Sequence, residues 1–248
     1  MTQEARPILW PVRGLFFDLG DTLYTYQDVP LNWDEHNRPA LAAAVLSCDL
    51  ILNEASIDRA VGVLGEFNTR TNPREIEFKS EYIFMKLLET LNIPEQYLKK
   101  IVYQFFSYFR QRLYVYPDAI PVLRAAEERG IATAALTDVP YGMPRQFVVS
   151  DLEVGGLTPL IGHMLTSADV GYRKPRPEGY VALCDLTGLS PDACCYAGNE
   201  HKDIQGALAA GMRAILVWRH VSAAPKWGQS ATVRSLEEIL FNSDVSGR

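Results

Sequence analysis

The sequence predicts an α/β fold, a parallel sheet flanked by helices, with a separate block of helices inserted near its start. Three observations predict it. Gly14-Leu15-Phe16-Phe17 is an unbroken apolar run that ends abruptly in Asp18-Leu19-Gly20-Asp21-Thr22, as a strand buried on both faces does when it delivers a turn to the edge of a sheet. From Ile131 onward, apolar runs alternate with amphipathic stretches, the pattern of βαβ units. Between these regions, from about 27 to 114, the apolar residues recur with helical spacing. Residues 1–26 and 115–248 are therefore read as a sheet core, and residues 27–114 as a helical bundle.

The inserted block is read as four helices. Pro39 to Leu52 and Ser56 to Asn68 form the first two, the second weakened by Gly62 and Gly65. Ile83, Phe84, Leu87, Leu88 and Leu91 mark one face of a third, which Asn92-Ile93-Pro94 breaks. Leu98, Ile101, Val102, Phe105, Phe109 and Leu113 mark the fourth. Tyr114 to Asp118 return the chain to the core, with Asp118 as N-cap and Gly130 as terminator of the next helix. Ile131–Leu136, His163–Thr166, Ala193–Ala197 and Ala214–Val217 read as strands, Pro177–Leu186 and the Ile204, Ala207, Leu208, Gly211 face as helices. A loop from Ser222 to Gln229, a last helix near Leu236–Phe241 and a fraying tail complete the chain.

With 248 residues, 48% of them hydrophobic, the chain can bury a full core. A formal charge of −6 disfavours a nucleic-acid backbone, whose binding rewards clustered Lys and Arg. Cys48, Cys184, Cys194 and Cys195 form no C-x-x-C pair and read as small core hydrophobes in a reducing compartment. The start, Met1 to Pro7, is not a secretory signal, and no apolar run is long enough to span a membrane. The expectation is a cytoplasmic protein with neither nucleic acid nor membrane as partner. Oligomeric state is not readable.

Three later stretches turn the Asp18 turn into a candidate site. Ile131–Leu136 ends in Thr137-Asp138, Arg173-Lys174-Pro175-Arg176-Pro177 supplies a lysine, and Ala193–Ala197 ends in Gly198-Asn199-Glu200-His201-Lys202-Asp203. Thr137 can donate a hydroxyl to a phosphate oxygen, and Lys174 can act as a point charge at a crowded anionic centre. In this order the four stretches resemble the haloacid dehalogenase superfamily, most of whose members are Mg-dependent phosphatases acting through an aspartyl-phosphate. The resemblance implies a Rossmann-like core with a helical cap after the first motif. It makes Asp18 the nucleophile, with Thr137 and Lys174 catalytic and phosphate-binding. Asp138, where the family often has Asn, falls in the phosphate-binding group by position and equally suits a turn. It implies a Mg²⁺ site to which Asp18, the Gly20 carbonyl, Asn199 and Asp203 contribute directly or through water, oxygen donors of the kind this ion takes. His201, Arg173 and Arg176 are read as surface residues.

Two departures qualify the resemblance. Gly20 stands where such phosphatases usually carry a second Asp, the general acid and base, and Asn199 stands where an acid is usual. A Mg-dependent phosphatase of a small phosphorylated metabolite, a metal-independent carbon–halogen hydrolase, and a non-catalytic binding member of the fold all stay open at this point. Tyr24, Tyr26, His36, Arg38, Arg70 and Arg74 are candidates for selecting the substrate.

Overall fold

A computed structural model describes residues 12–27, 29, 32–110 and 113–241. The expectations for Met1 to Pro7 and for the tail after Phe241 lie outside them. Strand β1 (Gly14–Phe17) is followed by β2 (Tyr24–Tyr26), β3 (Leu113–Val115), β4 (Ala132–Thr137), β5 (His163–Thr166), β6 (Cys194–Gly198), β7 (Arg213–Val217) and β8 (Ala231–Val233). Among the described residues, six of these form one parallel sheet in the order β5-β4-β1-β6-β7-β8. All four residues of β1 are buried. Its side chains alternate between two apolar layers: Leu15 and Phe17 join one, Phe16 the other. A strand clothed on both faces has no polar positions, which is why its sequence reads as an unbroken apolar run.

The helices in chain order are α1 (Asp34–Leu46), α2 (Glu54–Phe67), α3 (Ser80–Leu91), α4 (Leu98–Phe109), α5 (Ala119–Glu128), α6 (Arg145–Val154), α7 (Ser167–Val170), α8 (Glu178–Thr187), α9 (His201–Ala209) and α10 (Glu237–Phe241). The first four lie between β2 and β3, which pair with each other antiparallel. Helix α2 starts where Asn53 accepts the Ser56 N–H at 2.9 Å. Helix α3 stops at Asn92, in the left-handed conformation that Asn tolerates. The apolar layer holding Leu15 and Phe17 continues into this segment through Leu41, Leu87 and Phe105.

Several sequence expectations are corrected. Helix α1 starts at Asp34 rather than Pro39, which lies inside it; Asp34 and Glu35 suit the electropositive first turn. Leu113 is not helical: α4 ends at Phe109, and Leu113 opens β3 opposite Tyr26. Gly211 lies past the end of α9. Asp118 precedes α5 but its side chain caps nothing there. Its carboxylate instead accepts both Nη groups of Arg219 at 2.9 Å, Ser235 Oγ at 3.0 Å and the Leu236 N–H at 2.8 Å. Burial works against that charge, but the Arg219 and Leu236 donors outweigh it and hold the Asp118 carboxyl below its ordinary range. Arg219 Nη2 also donates to the Thr22 carbonyl at 2.9 Å, which ties the turn after β1 to the end of the chain's last strands.

Candidate active site

Because β4, β1 and β6 are neighbours running in one direction, their carboxyl ends meet, the place where open α/β sheets bind ligands. Asp18 follows β1, Thr137 ends β4 and Gly198 ends β6. A methyl group at Gly198 would lie 2.5 Å from the Asp203 Cβ, so only glycine lets α9 start this close to the strand. Lys174 comes in from the loop after α7, its N–H held by Asp138 Oδ1 at 3.1 Å.

Lys174 Nζ lies 2.6 Å from Asp18 Oδ1 and 2.6 Å from Asp203 Oδ1, and also reaches the Tyr196 hydroxyl at 3.3 Å. All of these groups are buried. Burial works against the ammonium, yet Asp18 and Asp203 together outweigh it and hold Lys174 well above the ordinary lysine range. Burial likewise pushes Asp18 up, to about 7; Lys174 opposes the rise, and Asp203 adds to it. One cation shared by two carboxylates leaves the candidate nucleophile incompletely neutralised, a state that a further cation would relieve.

The expected metal donors are partly brought together. The Thr22 hydroxyl stands 3.5 Å from Asp18 Oδ2 and 3.3 Å from Asn199 Oδ1, so it bridges these two acceptors. Both are oxygen donors of the kind Mg²⁺ takes. Asp203, expected as a donor directly or through water, is joined to Asp18 by the Lys174 ammonium between them. Its Oδ1 is taken by Lys174 and its Oδ2 by the Glu200 N–H at 2.8 Å, which makes it an anchor for Lys174 and a cap for α9. Among the described residues no cluster of three His, Cys, Asp or Glu side chains could hold a metal ion.

The Asp138 carboxylate lies among cations. Its Oδ2 lies 3.0 Å from Lys202 Nζ and 3.6 Å from Arg173 Nη2. Burial alone would raise its carboxyl, but Lys202, Arg173 and Lys174 pull it down to about 2. It gathers cations beside Thr137. Lys202 and Tyr196 were not singled out in the sequence, although both lie within or two residues from the Gly198–Asp203 stretch. Arg173 is buried, contrary to its reading as a surface charge. It donates to the Val139 carbonyl at 2.8 Å and pairs with the buried Glu77 of the inserted segment.

A cleft of about 920 Å³, including its open mouth, lies over these strand ends. Gly20, Asp21, Thr137, Asp138 and Lys202 line it from the sheet, and Trp33, Phe67, Asn68 and Arg70 from the inserted segment. Of the substrate-selecting candidates, Tyr24, Tyr26 and Arg70 line it, Arg74 lines an adjoining groove, and His36 and Arg38 line neither. Arg38 is paired with Glu54 and Asp58 on the surface of the inserted helices.

The profile of the haloacid dehalogenase-like hydrolases matches residues 12–211. The chain belongs to this family. This haloacid dehalogenase-like hydrolase is 33% identical over 164 residues to a phosphoserine phosphatase of Thermus thermophilus, covering 65% of this chain and 64% of that one. It is 35% identical over 125 residues to a phosphatase of Mycobacterium tuberculosis, covering 50% and 55%. The chain thus spans between half and two thirds of the length of these curated relatives. Among solved structures it resembles a 2-haloacid dehalogenase of Pseudomonas syringae pv. Tomato (TM-score 0.66, 18% identity, 93% and 97% coverage). It also resembles a haloacid dehalogenase-type phosphatase of Thermococcus onnurineus (TM-score 0.60, 19% identity, 92% and 96% coverage). At such identities the likeness shows the fold alone. Among the described residues no helix is long and apolar enough to cross a membrane.

Proposed function

We propose that this hydrolase is a Mg²⁺-dependent phosphatase of a small phosphorylated molecule, working in the cytoplasm through a covalent phosphate on Asp18. The observation that carries the reading is the buried Lys174 ammonium, 2.6 Å from both Asp18 and Asp203, beside Thr137 at the end of β4. The names of the relatives, phosphatases at 33% and 35% identity, favour phosphate over halide as the group released. The buried, unpaired thiols of the four cysteines suit a reducing compartment.

In this reading Asp18 attacks phosphorus in line with the departing oxygen, while Thr137 donates its hydroxyl to a phosphate oxygen and Lys174 offsets the gathered charge. Asp18, the Gly20 carbonyl and Asn199 would hold Mg²⁺, which when bound neutralises the phosphate. Asp203 holds Lys174 in place. Residues 27–114 serve as a cap over the core of residues 1–26 and 115–248, which the lining of the cleft by Trp33 and Arg70 supports.

Phosphate release should be measured across a panel of phosphate monoesters, with Mg²⁺ and with EDTA. Turnover is expected with Mg²⁺, reversible silence with EDTA, and loss of turnover in a folded Asp18→Asn variant. Full activity in EDTA together with halide release from 2-haloacids would overturn the assignment.

A further inference from the structure

We propose that the cleft beyond Gly20 holds the leaving group of the substrate and that this group is an aromatic ring, so that the substrates are phosphate monoesters of phenols. The proposal rests on the phosphatase reading and gives it a substrate class.

Gly20 and Thr137, from the strand ends that carry the candidate site, line the cleft together with the rings of Tyr24, Tyr26, Trp33, Phe67 and Tyr141, beside the polar side chains of Asp21, Asn68, Arg70 and Lys202. These rings are fixed in place. Trp33 lies flat on Phe109 with 3.8 Å between centroids and 9° between planes. The Tyr141 hydroxyl accepts from Asn37 Nδ2 at 2.8 Å, and the Tyr26 hydroxyl donates to Asp151. The Tyr26 hydroxyl is thus spent as a donor, that of Tyr141 serves as an acceptor, and both tyrosines present ring surface to the cleft. Rigid aromatic walls lose little freedom when they bind, and they favour offset or edge-to-face contact with another ring.

Tyr141 is also held against its own backbone preference. It has φ 49° and ψ 32°, a left-handed conformation that is rare for a bulky side chain. Gly142 follows at φ +62°, where a Cβ would lie 2.0 Å from the Phe78 carbonyl oxygen of the inserted segment. The turn after β4 is thus pressed against that segment, and the pressing keeps Tyr141 in the wall of the cleft.

The chemistry at Gly20 selects the same ligand. With no carboxylic acid there, the departing oxygen leaves as an anion, and this suits a phenol, whose pKa of about 10 lies far below the roughly 15.7 of water. The bond from Asp18 Oδ to phosphorus forms as the bond from phosphorus to the aryl oxygen breaks. That oxygen keeps the electron pair, leaves as phenolate and takes its proton from water outside the site. A water molecule then hydrolyses the aspartyl-phosphate to the Asp18 carboxylate and dihydrogen phosphate. Acyl and anomeric sugar phosphates also have acidic leaving groups, and Asp21, Asn68, Arg70 and Lys202 give the cleft a polar lining as well; what favours the phenol is the set of five rings.

Binding of two inert phosphonates to the Mg²⁺-loaded protein separates ring recognition from leaving-group reactivity. Phenylphosphonate should bind about tenfold or more tightly than methylphosphonate, the order of gain that aromatic contact brings. Tyr141→Asn, which deletes the ring where Asn tolerates the left-handed backbone, should remove most of that difference, and Phe67→Leu should reduce it. Near-ultraviolet circular dichroism confirms that the variants are folded. Equal affinity for the two phosphonates, in a protein that releases phosphate from its panel, overturns the aromatic subsite and leaves the phosphatase standing. No phosphate release from any monoester overturns the phosphatase and this proposal together.

Discussion

Gly20 shapes the chemistry by the side chain it lacks. General acid and base help is typically worth about 10² to 10⁴ in rate, so the cleavage step should depend steeply on the acidity of the leaving group. A Cβ placed on Gly20 meets nothing within 4 Å, which leaves room to restore an acid by Gly20→Asp. Single-turnover release of the alcohol, measured across esters of graded leaving-group pKa, should show a steep dependence in the native protein and a shallower one in Gly20→Asp. Steady turnover is the wrong measurement, because in the proposed mechanism the same absence would slow hydrolysis of the aspartyl-phosphate and hide the preference. If the native protein cleaves alkyl and aryl esters equally fast in that first step, another group supplies the proton. Asp21, which lines the same cleft, is then the first to mutate.

At the scale of elements, the loop that carries Lys174 is built from both parts of the chain. The Glu77 N–H donates to the Gly171 carbonyl at 3.0 Å, and the Arg173 N–H to the Glu75 carbonyl at 2.7 Å. The Glu77 carboxylate accepts Ser167 Oγ at 2.7 Å and the Phe78 N–H at 3.0 Å, and pairs with Arg173. No periodicity signals such a clasp, since its partners lie 90 and 96 residues apart in the chain. That is why Arg173 reads as a surface charge in a run of basic residues. Glu77→Gln removes the buried negative charge from between Arg173 and Arg74; Asp138 at 3.6 Å and the Val139 carbonyl still face Arg173, so the cost in urea unfolding should be up to about 3 kcal/mol. Arg176, whose side chain is 41% exposed against Glu178, should cost little in unfolding on change to Ala, since a solvated ion pair contributes little. In turnover the order is set by reach into the site: Lys174→Ala should cost orders of magnitude and Arg176→Ala little. Equal costs for Glu77→Gln and Arg176→Ala in unfolding would show that the clasp carries no load.

For the whole molecule, the legible parts were those with one local cause. Strands β1, β4, β6 and β7 showed as apolar runs because the sheet is covered on both faces, and the order of the four site stretches showed because each follows a strand or precedes a helix. Strands β2, β3 and β8, each three residues long, are too short for alternation to stand out. The holding of Lys174 by Tyr196 and Asp203, and of Lys202 by Asp138, exists only once β6 and β4 have been brought beside β1. That assembled site also bears on the stability of the fold. In the unfolded chain Asp18 ionises near its ordinary value of 3.8, whereas in the folded protein it does so at about 7. Across that window the folded state binds more protons, so stability falls as pH rises. Asp138 and Glu200 act in the opposite sense. Burial would raise both, but Lys202 outweighs it, with Arg173 at Asp138 and Arg70 at Glu200, and holds each at about 2. Their contribution is present above the ordinary carboxylate range and is lost as pH falls toward 2. Stability of the metal-free protein should therefore peak in mildly acidic solution and decline through pH 7. Asp18→Asn removes the declining limb, so in EDTA the variant should unfold at higher urea than the native protein above pH 7. The two should converge as pH falls toward the ordinary carboxylate range. Mg²⁺ favours the ionised carboxylate and should restore much of the native protein's stability at high pH while doing little for the variant. Parallel pH profiles for the two proteins in EDTA would mean that Asp18 is fully compensated by Lys174 alone, and the case for a second cation at this carboxylate would lose its electrostatic basis.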